Sequence, residues 1–267
     1  MYIKKYDNKQ RILPMSFLEN GVTGHRGDPQ HFPQNTLAGF EAAIHLKCDW
    51  VETDLHLTRD NRLVLSHDSD TRNEGDQCRI IRETDFDELR KINIATRFNM
   101  TYYDKPGRFD VMPTLEETLE LFRSQDKVRL SLQPKAPGTV EAAAKIIRDM
   151  NFPPEMLGFN DGNLEYMISA RENFPEATIF YDRYYEKGWQ KSLPEDIAVS
   201  LRHNFQALVI FEQHLTREGV DMILNANLQP GVWNINNPGE MDRFIAMNVK
   251  RFYTDFPAVL LKKLNHI

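Results

Sequence analysis

VRLSLQPKAPGTVEAAAKIIRDMNFPPEMLGF, residues 128–159, changes its hydrophobic period twice in one stretch. From Val128 to Gln133 apolar and polar side chains alternate, as on a half-buried strand. From Val140 to Met150 apolar residues recur at three- and four-residue spacing, the mark of a helix with one buried face. Met156 to Phe159 is short and mostly apolar, which suits another strand. Pro134 has no amide to donate, so the first strand stops there. Two strands joined through a helix over this length make a parallel β-α-β unit.

The same rhythm extends in both directions. Downstream the spacing predicts helices at Leu164–Phe174, Pro194–His203, Leu215–Ala226, Glu240–Met247 and Ala258–Leu264. Between them fall predicted strands at Ala177–Tyr181, Ala207–Phe211, Gly231–Ile235 and Arg251–Thr254. Upstream, a short extended stretch at Val22 precedes a helix from Leu37 through Cys48, with Asn35 or Thr36 as its cap. Trp50–Leu57 then reads as a strand, Leu63–Ser66 as a return strand and Leu115–Phe122 as a helix. Residues from about 69 to 111 are polar and weakly periodic, an insertion with one short helix near Phe86–Lys91. Strands and helices in strict alternation predict an α/β chain, a (β/α)₈ TIM barrel filling residues 1–267 as one domain. An open doubly wound sheet competes, but no Gly-x-Gly-x-x-Gly follows the first strand.

A formal charge of −6 argues against a general nucleic-acid binder, which needs a basic face. Cys48 and Cys78 form neither a disulfide framework nor a metal spacing, which suits a reducing compartment. Met1 to Asn20 carries Lys4, Lys5, Asp7, Lys9 and Arg11 without an apolar run, so no secretory leader is expected. No stretch approaches membrane-spanning length, and no stable membrane insertion is expected. A cytoplasmic location follows as the expectation; oligomeric state is not readable.

In a (β/α)₈ barrel the chemistry gathers where strands end. The first strand ends in His25-Arg26, held between Gly24 and Gly27. Imidazole moves protons near neutral pH, and guanidinium offers a planar donor fork to anionic oxygens. Glu52 and Asp54 share one side of the second strand, where two carboxylates repel each other unless a cation intervenes. A hard divalent ion, Mg²⁺ or Ca²⁺, answers that need; a salt-bridge network with Arg or Lys answers it equally. His67-Asp68 closes the return strand and offers a second proton carrier. Ser131, Gln133 and Lys135 share one face of the next strand, with Lys135 at the mouth as a phosphate partner or a solvated strand-end lysine. Trp233 ends the seventh strand, against substrate or core. Asp255, before Phe-Pro, reads as a turn residue that orients its neighbours.

Gly24-His-Arg-Gly27, Pro33-Gln-Asn-Thr36, Glu52-x-Asp54, His67-Asp68, Met112-Pro-Thr-Leu-Glu-Glu117, Gln133-x-Lys135, Trp233-x-x-Asn236 and Thr254-Asp-x-Pro257 follow one another in order. Taken together they resemble the glycerophosphodiester phosphodiesterase family over nearly the whole chain from Gly21. The resemblance implies a (β/α)₈ barrel with an insertion after the second strand. It implies hydrolysis of a small glycerophosphodiester to glycerol 3-phosphate and an alcohol, with a divalent cation. His25 and His67 would be the acid–base pair, Arg26 the contact that steadies charge on phosphorus, and Lys135 a phosphate contact. Glu52 and Asp54 would be metal ligands. The family usually has Glu at the positions of Gln34 and Gln133, the second being a third metal ligand. Gln133 offers only a neutral oxygen, so weaker metal binding is expected. Two other readings follow: a phosphodiester-binding barrel with little turnover, and a related barrel lipase of the lysophospholipase D kind.

Overall fold

Val22–Gly24 (β1) is a three-residue strand with parallel neighbours on both sides, and this is how the barrel closes. The computed structural model describes residues 19–104, 107–184 and 189–267. Leu37–His45 (α1) leads to Trp50–Leu57 (β2), and Leu63–Leu65 (β3) returns antiparallel along the far end of β2. Phe86–Leu89 (α2), Thr96–Thr101 (α3) and Leu115–Arg123 (α4) follow. The regular units are Arg129–Pro134 (β4), Thr139–Asp149 (α5), Leu157–Asp161 (β5), Leu164–Asn173 (α6), Thr178–Arg183 (β6) and Trp189–Arg202 (α7). Ala207–Phe211 (β7), Arg217–Asn225 (α8), Gln229–Trp233 (β8), Pro238–Ala246 (α9), Arg251–Thr254 (β9) and Pro257–Lys263 (α10) complete them. Around the barrel the strand order is β1-β9-β8-β7-β6-β5-β4-β2, with β1 pairing β2 and β3 added outside. Eight parallel strands with helices between them make the TIM barrel that the alternation predicts.

Period-2 alternation sorts the two sides of each strand. Val51, Leu55, Leu130, Leu132, Leu157 and Phe159 point outward into the helix layer, where Ala43, Leu119, Ala144 and Ile147 meet them. Each such buried Leu-sized side chain contributes about 1.5–3 kcal/mol of transfer free energy. The alternate set points inward: Trp50, Phe180, Ala207, Val209 and Tyr253 fill the barrel's own core. Trp50 fits because β5 carries Gly158 opposite it; a Cβ there would lie 2.7 Å from both the indole and Phe180.

Several boundaries differ from the sequence expectation. α1 ends at His45 rather than Cys48, because Lys47 takes a left-handed φ of 61°. Thr36, not Asn35, caps it, accepting from Gly39 N at 3.2 Å. α7 begins at Trp189, so Pro194 lies within the helix rather than opening it. The insertion holds a second helix, α3, and a single turn at Ile81–Glu83 besides the expected α2. Periodicity misses these because they are shorter than two turns; the Ile81 turn and α2 share a small core of Val64, Ile81, Leu89, Ile92, Ile94 and Met112. The Met112–Glu117 motif proves architectural: Thr114 and Glu117 form a capping box on α4, and Arg90 grips Glu117 with two bonds of 2.6 Å. Cys48 and Cys78 are free thiols. No described helix is long and apolar enough to cross a membrane, and the stretch expected to lack a leader lies, up to residue 18, outside the described residues.

Candidate active site

A cavity of about 380 Å³ opens at the C-terminal ends of the strands, lined by His25, Arg26, Glu52, His67, Gln133, Lys135 and Trp233 among others. Seven of the eight residues singled out from the sequence therefore share one cavity; the eighth, Asp54, lies directly beneath it, wholly buried, within 3.2 Å of Arg26.

His25 follows β1, and its Nδ1 lies 2.6 Å from Asp255 Oδ1, just past β9. Asn236 holds that carboxylate from the far side: its Nδ2 donates to Asp255 Oδ2 at 2.7 Å, and its Oδ1 accepts from Asp255 N at 2.9 Å. Asn234 Nδ2 also reaches His25 Nδ1, at 3.1 Å. With Nδ1 engaged, Nε2 is the nitrogen left for chemistry. His67 repeats the arrangement: its Nδ1 lies 2.7 Å from Asp68 Oδ1, and Asn73 donates to Asp68 Oδ2 at 2.6 Å. Burial lowers both imidazoles below their usual pKa, and the nearby Arg26 charge lowers them further. Their aspartates work against this, to a smaller extent.

Arg26 adopts a left-handed φ of 58°, uncommon outside glycine and found where function holds the backbone in place. This conformation aims its amide at Glu52 Oε2, 3.1 Å away, while its side chain turns to Asp54. Arg26 Nη1 also donates to Gln34 Oε1 at 2.8 Å. Gln34 is therefore a site residue, not only part of a capping loop. It reaches the site because Asn35, also left-handed, donates its backbone amide to Arg26 O at 3.0 Å.

Asp54 is shared between two cations: Oδ2 lies 3.2 Å from Arg26 Nε and Oδ1 lies 2.9 Å from Lys135 Nζ. Asn35 Nδ2 adds a bond to Oδ2 at 2.8 Å. Burial alone would raise this carboxyl, but Arg26 and Lys135 overcome it and hold it at about 2. Glu52 moves the other way, well above its usual value, through burial and then the Asp54 charge. Lys135 also donates to Gln133 Oε1 at 2.5 Å. Both glutamines thus touch a cation, one at Arg26 and one at Lys135.

The donors suit a hard cation in kind: the Glu52 and Asp54 carboxylates and the Gln133 amide oxygen are all oxygens, and Glu52 Oε1 is buried without a hydrogen-bond partner. They are short in charge. Among the described residues no three His, Cys, Asp or Glu side chains are grouped to hold a metal ion, since the third donor is an amide.

Below this layer Ser131 donates to Asn160 Oδ1 at 2.7 Å, and Asn160 Nδ2 donates to Asp182 Oδ2 at 3.1 Å. The low-dielectric cavity wall pushes the Asp182 carboxyl up to about 8. Asn160, Asp182 and Asn234 escaped the sequence reading. Asn160 and Asp182 carry one signal, a strand-end position on the inward parity; Asn234, one residue past β8 and on the other parity, carries none. Trp233 lines the cavity and packs its ring 5.1 Å from Phe211, so it serves wall and core at once.

Two anchored imidazoles beside cations fit for oxyanions suit acid–base cleavage of a phosphate ester, and among (β/α)₈ barrels that describes a phosphoric diester hydrolase. The model of the glycerophosphoryl diester phosphodiesterase family matches residues 25–259, and the chain belongs to that family. It is similar to a glycerophosphodiester phosphodiesterase of Caldanaerobacter subterraneus, 25% identical over 247 residues, covering 90% of this chain and 96% of the relative. A Bacillus subtilis glycerophosphodiester phosphodiesterase is 23% identical, covering 90% of this chain and 85% of its own length. Among solved structures, a Silicibacter pomeroyi putative glycerophosphoryl diester phosphodiesterase superposes with a TM-score of 0.81 at 21% identity, covering 92% and 93% of the two chains. An Oleispira antarctica phosphodiesterase in complex with its product sn-glycerol-3-phosphate gives 0.78 at 23% identity, covering 94% and 98%. At these identities the structural likeness carries the fold alone.

Proposed function

We propose that this chain hydrolyses a small glycerophosphodiester to glycerol 3-phosphate and an alcohol, with His25 and His67 as the acid–base pair. The observation that carries the reading is that both imidazoles, each tied through Nδ1 to its own aspartate, line one cavity with Arg26 and Lys135. The phosphodiester anion is drawn to the Arg26 guanidinium and the Lys135 ammonium, which offset charge gathering on the phosphoryl oxygens in the transition state. One histidine accepts the proton of the nucleophile and the other protonates the departing alkoxide. Where the neighbouring glycerol hydroxyl attacks in place of water, the cyclic phosphate it forms is then opened by water with the two roles exchanged. Asp255 and Asp68 hold each imidazole in the tautomer that keeps Nε2 available, and steady it when it becomes cationic. Trp233 offers an apolar wall to the substrate's carbon skeleton.

A divalent cation, Mg²⁺ or Ca²⁺, held by Glu52, Asp54 and the Gln133 oxygen, would supply Lewis-acid charge to a phosphoryl oxygen. Release of glycerol 3-phosphate from glycerophosphocholine and glycerophosphoethanolamine, with and without chelator, tests the reading. No turnover at saturating Mg²⁺, Ca²⁺ or Mn²⁺ would leave the second reading, a barrel that binds phosphodiesters with little turnover. What favours that alternative is local charge: Arg26 and Lys135 already match Glu52 and Asp54.

A further inference from the structure

At the opposite end of the barrel lies a larger cavity, about 580 Å³, where the strands begin. Arg129, Arg251, Lys250 and Gln229 line it, with Ile245 and Leu264 as an apolar wall. Arg251 is only 3% exposed. Its Nε donates to Gln229 Oε1 at 2.7 Å, and its guanidinium stands 5.7 Å from the Trp50 ring and 5.3 Å from Phe180. Its Nη1 is buried with no hydrogen-bond partner among the described residues. The Arg129 guanidinium leans on the same indole at 4.7 Å, so two like charges share one desolvated place and oppose each other. The acidic neighbours are Glu19 at the rim and Asp49 behind it. Asp49 is committed to the backbone, accepting from the amides of Glu19, Asn20 and Gly21 at 3.2, 3.1 and 2.5 Å.

A buried guanidinium donor without an acceptor costs free energy until an anion arrives. Burial already brings the Arg251 pKa down to about 10, a measure of how poorly that charge is solvated. We propose that this cavity is a second ligand site, distinct from the catalytic one, which takes the phosphate group of a small organic phosphate. A dianionic phosphoryl group matches the unpartnered Arg251 Nη1 donor and the second positive charge that Arg129 places beside it. Lys250 stands exposed at the rim and adds a positive charge to the approach. The Ile245–Leu264 side gives an ester's carbon portion an apolar surface, and the cavity is of a size that holds small ligands.

Calorimetric titration of the whole chain with glycerol 3-phosphate, and separately with inorganic phosphate, tests this. Two binding events per chain are expected with the ester; a requirement for the carbon portion shows as weaker binding of inorganic phosphate at the second. Arg251→Gln should weaken that second event at least about tenfold, the loss of one charge-assisted pair, while leaving hydrolysis unchanged. Lys250→Glu, at an exposed position, should weaken it in the same direction and decides the matter should Arg251→Gln fail to fold. A single event per chain, or a second event indifferent to both substitutions, overturns the proposal.

Discussion

His25 and Asp255 stand 230 positions apart in the chain, yet their side chains meet at 2.6 Å because β1 and β9 are neighbours in the closed barrel. Asp255 is itself clamped by Asn236, so the contact is the middle of a three-residue relay from β8 through β9 to β1. Removing the carboxylate's charge frees the imidazole to take the wrong tautomer. Asp255→Asn is expected to lower kcat by about a hundredfold or more with KM little changed, and Asn236→Ala by about tenfold. Steady-state kinetics on one glycerophosphodiester reads both. Equal loss in KM would assign Asp255 to substrate binding instead.

Both histidines have folded-state pKa values below the ordinary value of about 6.5. The acidic limb of kcat/KM is therefore expected below that pH rather than above it. The same shift acts on stability. Below the unfolded pKa the unfolded chain takes up protons more readily than the native one, so stability is full above about 6.5 and falls as pH drops toward the folded values. Melting curves at pH 7.5 and 5.5 should show a smaller loss for His25→Gln than for the natural chain. An identical loss would mean that His25 titrates normally.

Gln133→Glu restores a carboxylate between Lys135 and the Glu52–Asp54 pair. Affinity for Mg²⁺ or Ca²⁺ should rise at least about tenfold, worth about 1.4 kcal/mol, since a full charge replaces a dipole. Direct titration of the metal follows it without recourse to activity. Unchanged affinity would place Gln133 away from the cation.

Gly158 leaves room for Trp50 and Phe180 inside the barrel. Gly158→Ala puts a methyl 2.7 Å from both rings, neither of which can retreat in a filled interior. A loss of about 1–3 kcal/mol in denaturant unfolding is expected. No loss would show that the rings can repack.

Much of the fold was legible because its signals are local. β2, β7 and β9 have the predicted bounds; β7 is an apolar run, and β2 and β9 mix apolar with polar residues. Where the boundary depends on one backbone angle, as at Lys47, or on contacts made far away, as in the α3 insertion, periodicity had nothing to report. At the site, parity along a strand was enough to put Glu52 with Asp54 and Gln133 with Lys135. It could not say that Gln34 would reach Arg26, because that rests on left-handed residues folding the loop back.

Sequence alone therefore determined the number and order of the barrel's own strands and helices, the face on which the polar residues of β2 and β4 lie, and the family. These depend on periods of two and 3.6 residues and on short motifs, all contained within a few neighbouring positions. Tertiary structure alone decided which strand ends meet: His25 with Asp255, Asp54 with both Arg26 and Lys135, and Arg251 with Arg129 around Trp50. Those pairings follow from barrel closure and register, which bring together residues whose separation along the chain leaves no local trace.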